Sequence, residues 1–126
     1  MKQSDLVLVV EDDLEIRESL VEILEETGYR AIGAKNGLDA LAQLRAMPAL
    51  PSLILLDLMM PMMDGLAFRR QQLSEPAIAD VPAVLISAHS NVTPGAEELR
   101  FAHHMRKPIN LDQLLAVAAQ HCTRNG

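Results

Sequence analysis

Three short apolar runs constrain the fold of this chain more than any other feature of its sequence. They are Leu6–Val10 and residues 53–56 and 83–86, and leucine, isoleucine and valine make up most of them. Runs of this length are too short for buried helices, and uninterrupted apolar character is typical of strands that are covered on both faces of a parallel sheet. The sequence therefore predicts an α/β fold built on a parallel sheet.

Polar side chains follow these runs where the strands are expected to end. Glu11 and Asp12 come directly after the first run, Asp57 follows the second, and Lys107 follows a strand-like segment near the end of the chain. Because the carboxyl ends of parallel strands lie at one edge of a sheet, these side chains should converge. Clustered carboxylates repel one another unless a hard cation bridges them, so we predict a Mg²⁺-assisted phosphoryl-transfer site with a carboxylate nucleophile.

The rest of the chain alternates between strand and helix patterns, which predicts five βα units in a single domain covering residues 1–126. Two further strands are expected at Arg30–Ala34 and at residues 104–106. The predicted helices are Leu14–Thr27, Gly37–Ala46, residues 64–74, residues 94–101 and a final helix that begins after Asn110. The side chains expected to cap helix N-termini are those of Asp13, Asp64, Thr93 and Asn110.

Composition excludes several classes of function. A formal net charge of −6 offers no basic surface to nucleic acid or to an anionic membrane, and an aromatic content of 2% leaves few platforms for base stacking. The single Cys122 cannot form an internal disulfide, and the sequence has no signal-peptide pattern and no apolar span of about 20 residues. We therefore expect a cytoplasmic protein with no nucleic-acid or membrane partner.

Four ordered motifs resemble those of response-regulator receiver domains. They are Val9-Val10-Glu11-Asp12-Asp13, the segment from Leu55 through Asp57 to Gly65, Ile86-Ser87-Ala88, and Lys107-Pro108. The resemblance implies a flavodoxin-like (βα)5 fold, a doubly wound five-stranded parallel sheet in the order 2-1-3-4-5. It also implies a phosphorylation switch rather than an enzyme, in which the domain catalyses only its own phosphorylation and dephosphorylation. The expected partners are a sensor histidine kinase or histidine phosphotransfer protein, and a target protein that binds the face of the fourth helix, last strand and final helix.

The resemblance also implies a role for each site residue. Asp57 is the expected phosphoacceptor, a carboxylate nucleophile of the aspartyl-phosphate kind. The expected ligands of Mg²⁺ (or Mn²⁺) are Asp12, Asp57, Glu11 mainly through water, and the backbone carbonyl of Met59. Asp13 falls just past the acidic pair, and we interpret it as a helix cap.

Two more side chains are expected to contact the phosphoryl group. Lys107 should pair with a phosphoryl oxygen, and Ser87 should donate its hydroxyl. The bond between Lys107 and Pro108 is expected to be cis. Met59 and His89 are expected to flank the path of the hydrolytic water.

The chain departs from the family pattern at three places. His104 stands where the family has Tyr or Phe, and we expect its ring to turn into the space that Ser87 vacates on phosphorylation. The segment from Ser87 to Lys107 is shorter than usual, which predicts a short or irregular fourth helix. Arg106 adds a charge before the lysine, and we expect it to face solvent.

Three alternatives compete with this interpretation. A haloacid-dehalogenase-type phosphatase also uses a carboxylate nucleophile, Mg²⁺ and a lysine, but that family has an acid two residues after the nucleophile, where this chain has Met59. A degenerate receiver that binds partners without phosphorylation is disfavoured by the intact set of site residues. Zinc is disfavoured because the residues that could bind it lack the spacing of a closed site; they are His89, His103, His104, His121 and Cys122.

Overall fold

The computed structural model describes residues 4–88 and 95–123 of the chain. Its strands are β1 (Leu6–Val10), β2 (Arg30–Ala34), β3 (Leu53–Asp57), β4 (Ala83–Ser87) and β5 (His103–Arg106). Its α-helices are α1 (Leu14–Thr27), α2 (Gly37–Ala46), α3 (Gly65–Leu73) and α4 (Leu111–His121). The strands form one parallel sheet in the order β2-β1-β3-β4-β5, which confirms the predicted flavodoxin-like fold.

Alternate residues of the central strands contribute to two cores on opposite faces of the sheet. Val7 and Val9 pack with apolar residues of α1 and α4, whereas Leu8 and Val10 pack with those of α2 and α3. Every residue of β1, β3 and β4 is buried. Burial on both faces explains why these strands appear in the sequence as uninterrupted apolar runs.

Side-chain caps fix the start of each α-helix. Asp13, Asn36, Asp64 and Asn110 each accept a hydrogen bond from the backbone N–H three residues later. Such a bond satisfies one of the N–H groups that a helix start leaves without an intrahelical partner. The predicted caps Asp13, Asp64 and Asn110 are therefore confirmed, and Thr93 lies outside the described residues.

The fourth helix predicted over residues 94–101 is wrong in extent, whereas the prediction that it is short or irregular is confirmed. Within the described residues 95–101, only Glu97–Leu99 is helical, as one 3₁₀ turn. The turn is flanked by Gly95 at φ 88° and Arg100 at φ 52°, and a left-handed residue cannot continue a right-handed helix. Within residues 95–101, the fourth connection therefore contributes a single 3₁₀ turn.

Differences at other element boundaries are small but bear on the site. β3 extends one residue beyond the predicted segment and ends at Asp57, and β4 likewise ends at Ser87. β5 begins at His103, one residue before the prediction. Arg106 is exposed, as predicted. Among the described residues, no helix is long and apolar enough to cross a membrane.

Candidate functional site

Three acidic side chains meet at the carboxyl edge of the sheet. Glu11 follows β1, Asp12 is the next residue, and Asp57 is the last residue of β3. One carboxylate oxygen from each lies within 4.8 Å of the others, and within residues 4–88 and 95–123 this is the one group of three or more potential metal-ligating side chains. Glu11 and Asp57 are buried and Asp12 is exposed, so the group opens to solvent on the Asp12 side.

Lys107 lies at the same edge, directly after β5. Its Nζ atom is 3.0 Å from Oδ1 of Asp57 and 3.5 Å from Oε1 of Glu11. Burial lowers the pKa of Lys107, but its hydrogen bond to Asp57 and the charges of Asp57 and Glu11 outweigh the burial and raise the pKa above its ordinary value. The ammonium group is therefore a fixed positive charge beside Asp57. The peptide bond between Lys107 and Pro108 is cis, as expected.

The carboxyl group of Glu11 is the most strongly perturbed member of the acidic group. Burial of the group, followed by the negative charge of Asp57, raises the pKa of Glu11 to about 7. A hydrogen bond from the backbone N–H of Asp13 and the charge of Lys107 offset only part of this increase. In metal-free protein near neutral pH, Glu11 is therefore close to half protonated.

The donor set fits a hard divalent cation. Mg²⁺ and Mn²⁺ prefer carboxylate, carbonyl and water oxygens, and the three acids supply oxygens at one place. Burial and then the charge of Asp57 raise the pKa of Glu11, and a bound cation would favour its ionised form. Met59, the fourth expected ligand, lies two residues after Asp57 in the loop between β3 and α3, and the residue is 67% exposed.

The loop after Asp57 is held close to the site by its backbone. The N–H of Leu58 donates to the carbonyl of Ile86, and the N–H of Gly65 donates to the carbonyl of Leu58. A Cβ atom at Gly65 would lie 2.7 Å from the carbonyl oxygen of Asp57, so this close approach requires glycine. Met62 adopts a left-handed φ of 68° within the same loop. The start of α3 thus packs directly against the backbone of Asp57.

Ser87 lies at the end of β4, next to the strand that carries Asp57. Ser87 is buried, and its backbone carbonyl accepts a hydrogen bond of 2.7 Å from the backbone N–H of Lys107. Its Oγ atom lies 2.8 Å from Nε2 of His104. The His104 ring thus contacts Ser87 without phosphorylation, and its turn into the space that Ser87 vacates on phosphorylation stays a prediction.

The other histidines do not assemble a metal site with three ligands among the described residues. The rings of His103 and His121 contact each other edge to face, with centroids 5.9 Å apart, and Nε2 of His103 lies 2.9 Å from Oε1 of Gln120. His89 lies outside the described residues, so its expected place beside the hydrolytic water stays a prediction.

Sequence analysis missed the role of Arg69. This residue of α3 is only 4% exposed, and it donates hydrogen bonds to the carbonyls of Leu99, Arg100 and Val81 and to the side chain of Gln72. Burial lowers the pKa of Arg69 to about 10. Arg69 lies between apolar residues at helical spacing, which places its charge on the core-facing side of α3. A buried charge needs hydrogen-bond partners inside the protein, so this position was the signal that could have predicted them.

Comparisons with known proteins agree with this geometry. The family model for the response regulator receiver domain matches residues 7–119. The response regulator receiver protein CpdR of Brucella abortus is 32% identical over 119 residues, which cover 90% of this chain and 98% of that protein. The response regulator MprA of Mycobacterium ulcerans is 35% identical over 87% of this chain, which spans about half (47%) of that protein's length. A response regulator receiver protein from Pseudomonas putida superposes with a TM-score of 0.86 at 26% identity, over 95% of this chain and 99% of that one.

Proposed function

Because this chain belongs to the response regulator receiver domain family of two-component signalling, we propose that it is switched by Mg²⁺-dependent phosphorylation of Asp57. The observation that carries the proposal is the meeting of Glu11, Asp12, Asp57 and Lys107 at one edge of the sheet. Three acids and one lysine at that edge suit phosphoryl transfer, because they can hold a cation and a transferring phosphoryl group together.

Asp57 acts in this proposal as the nucleophile. One of its carboxylate oxygens forms a bond to phosphorus while the bond between phosphorus and the donor's histidine nitrogen breaks, and that nitrogen keeps the electron pair. Lys107, whose Nζ lies 3.0 Å from Oδ1 of Asp57, contacts an oxygen of the arriving phosphoryl group. The Ser87 hydroxyl donates to another phosphoryl oxygen.

The proposed ligands of Mg²⁺ or Mn²⁺ are Asp12, Asp57, Glu11 mainly through water, and the carbonyl of Met59. The cation, when bound, supplies positive charge that balances the phosphoryl oxygens. Glu11 supports binding only in its ionised form, and its raised pKa makes that form sensitive to pH near neutrality.

The donor is proposed to be a sensor histidine kinase or a histidine phosphotransfer protein, met in the cytoplasm. Asp57 is only 3% exposed, so its donor must approach over the carboxyl edge of the sheet. A groove of about 380 Å³ borders Lys107 there, and Ile16, Leu20, Pro108 and Ile109 are among the residues that line it. Its mainly apolar wall can receive the apolar side of a partner helix that presents a phosphohistidine.

The output is proposed to be contact with a target protein. The face made by Glu97–Leu99, β5 and α4 connects directly to Ser87 and Lys107. A change at either residue can therefore alter the shape of that face. Phosphorylation would act by changing the affinity of this surface for the target.

Incubation with acetyl phosphate and Mg²⁺, followed by intact-protein mass spectrometry, tests the proposal. Wild type should gain one phosphoryl group, and Asp57→Asn should gain none, because the amide keeps the shape but lacks the nucleophilic oxygen. Asp13→Asn is the matched control, since it makes the same change one residue from the metal group and retains a good helix cap. Sustained hydrolysis of phosphodonor without a protein adduct would indicate a phosphatase, and no reaction would indicate a degenerate receiver.

A further inference from the structure

His104 and Ser87 are diagonal neighbours on one face of the sheet. β4 and β5 are parallel, with Leu85 opposite His104 and Ser87 opposite Arg106. Because side chains alternate between faces, Leu85, Ser87 and His104 project to the same side, where Leu85 packs against Leu99. The imidazole extends along the strand and reaches Ser87 Oγ at 2.8 Å.

A serine hydroxyl has limited reach. Its oxygen moves by rotation about a single bond and occupies one of three staggered positions. The position that contacts His104 is occupied in this structure. Ser87 is also fixed at its backbone, because its carbonyl accepts from Lys107 at 2.7 Å. A hydroxyl that turned from this position to a phosphoryl oxygen on Asp57 would lose its contact with His104.

We propose that His104 is a positioning residue for Ser87, one that occupies the Ser87 hydroxyl until a phosphoryl group on Asp57 displaces it. The proposal rests on the proposed function, because it assumes that Ser87 contacts that phosphoryl group. Phosphorylation exchanges one hydrogen bond for another, and the exchange releases the His104 ring on β5. The first structural consequence of phosphorylation is thus loss of a bond to the last strand.

The test measures binding of beryllium fluoride, a phosphoryl mimic, in the presence of Mg²⁺. A net hydrogen bond contributes about 1 kcal/mol, so removing the competing imidazole should tighten binding about fivefold. His104→Phe retains a ring of similar size without nitrogen atoms, and His104→Leu is a second variant in case the larger ring disturbs folding. Both should bind the mimic more tightly than wild type.

His103→Phe is the matched control. It makes the same change one residue earlier, on the opposite face of the sheet, where the His103 ring contacts Gln120 rather than Ser87. Its affinity for beryllium fluoride should equal that of wild type. In a Ser87→Ala background, His104→Phe should also have no effect, because no hydroxyl remains for the imidazole to occupy.

Nitrogen NMR of the His104 ring gives a readout that a merely structural role would not change. On addition of beryllium fluoride and Mg²⁺ to wild type, the ring nitrogen signals should move toward their positions in free Ser87→Ala protein. Unchanged or weaker mimic binding in both His104 variants, or ring signals that do not move, would overturn the inference. If wild type binds no mimic and acquires no phosphoryl group from acetyl phosphate, the proposed function itself fails and the inference fails with it.

Discussion

Lowering the pH from 8 to 6 should weaken Mg²⁺ binding about tenfold. Burial and the charge of Asp57 raise the pKa of Glu11 to about 7, so about nine tenths of the molecules carry ionised Glu11 at pH 8 and about one tenth at pH 6. Mg²⁺ favours the ionised form and must displace the proton from the rest. The apparent association constant should fall in proportion to the ionised fraction, and binding should release close to one proton at pH 6.

Isothermal titration calorimetry can check both quantities. Titrations in two buffers of different ionisation enthalpy give the number of protons released together with the affinity. Glu11→Gln is the informative variant, because its neutral amide should bind Mg²⁺ weakly but with little change between pH 6 and pH 8. Equal affinities for wild type at the two pH values, or an undiminished pH dependence in Glu11→Gln, would show that Glu11 does not govern metal binding.

Three further predictions concern stability and lifetime. The pKa of Glu11 is higher in the folded protein than in the unfolded chain, so metal-free wild type should lose stability relative to Glu11→Gln as the pH rises from 4.5 to 7. The loss should reach up to about 3 kcal/mol, measured by urea unfolding at several pH values. Parallel curves of stability against pH for the two proteins would contradict this. Gly65→Ala should destabilise the fold by about 1–3 kcal/mol in the same assay, because the added Cβ would lie 2.7 Å from the carbonyl oxygen of Asp57. If the variant is as stable as wild type, the loop relaxes freely around the added atom. Met59→Asn should shorten the lifetime of the phosphorylated protein, because an amide can orient the hydrolytic water and the exposed thioether cannot; an equal or longer lifetime would exclude this role for the side chain.

The sequence predicted the sheet because its central strands carry their own signal. β1, β3 and β4 are buried on both faces, so every position before the final Asp57 of β3 and Ser87 of β4 is apolar, and the strands stand out without knowledge of their neighbours. The acidic group was predictable for a related reason. Once the strands are parallel, the residues at their carboxyl ends must meet, whatever the packing beneath them.

The length of the fourth connection predicted a short or irregular helix, but local signals did not predict that Glu97–Leu99 would form a 3₁₀ turn. The sequence pattern of this connection is typical of a helix, but residues 95–101 contain one 3₁₀ turn. The carbonyls of Leu99 and Arg100 at this turn accept hydrogen bonds from Arg69 of α3, a residue about thirty positions earlier in the chain. The contact between Ser87 and His104 also depends on features beyond local sequence. It requires the register of β4 against β5 and one particular serine rotamer, and neither can be inferred from the two residues themselves.

The central claim, that Asp57 accepts the phosphoryl group, can be tested most directly by chemical trapping. Protein treated with acetyl phosphate and Mg²⁺ is exposed to hydroxylamine, which converts an acyl phosphate to a hydroxamate, and is then digested and mapped by mass spectrometry. The account predicts a hydroxamate on Asp57 that forms only when phosphodonor and Mg²⁺ are both present. A hydroxamate on Asp12 or Asp13 instead, or a phosphoryl group that hydroxylamine does not remove, would contradict it.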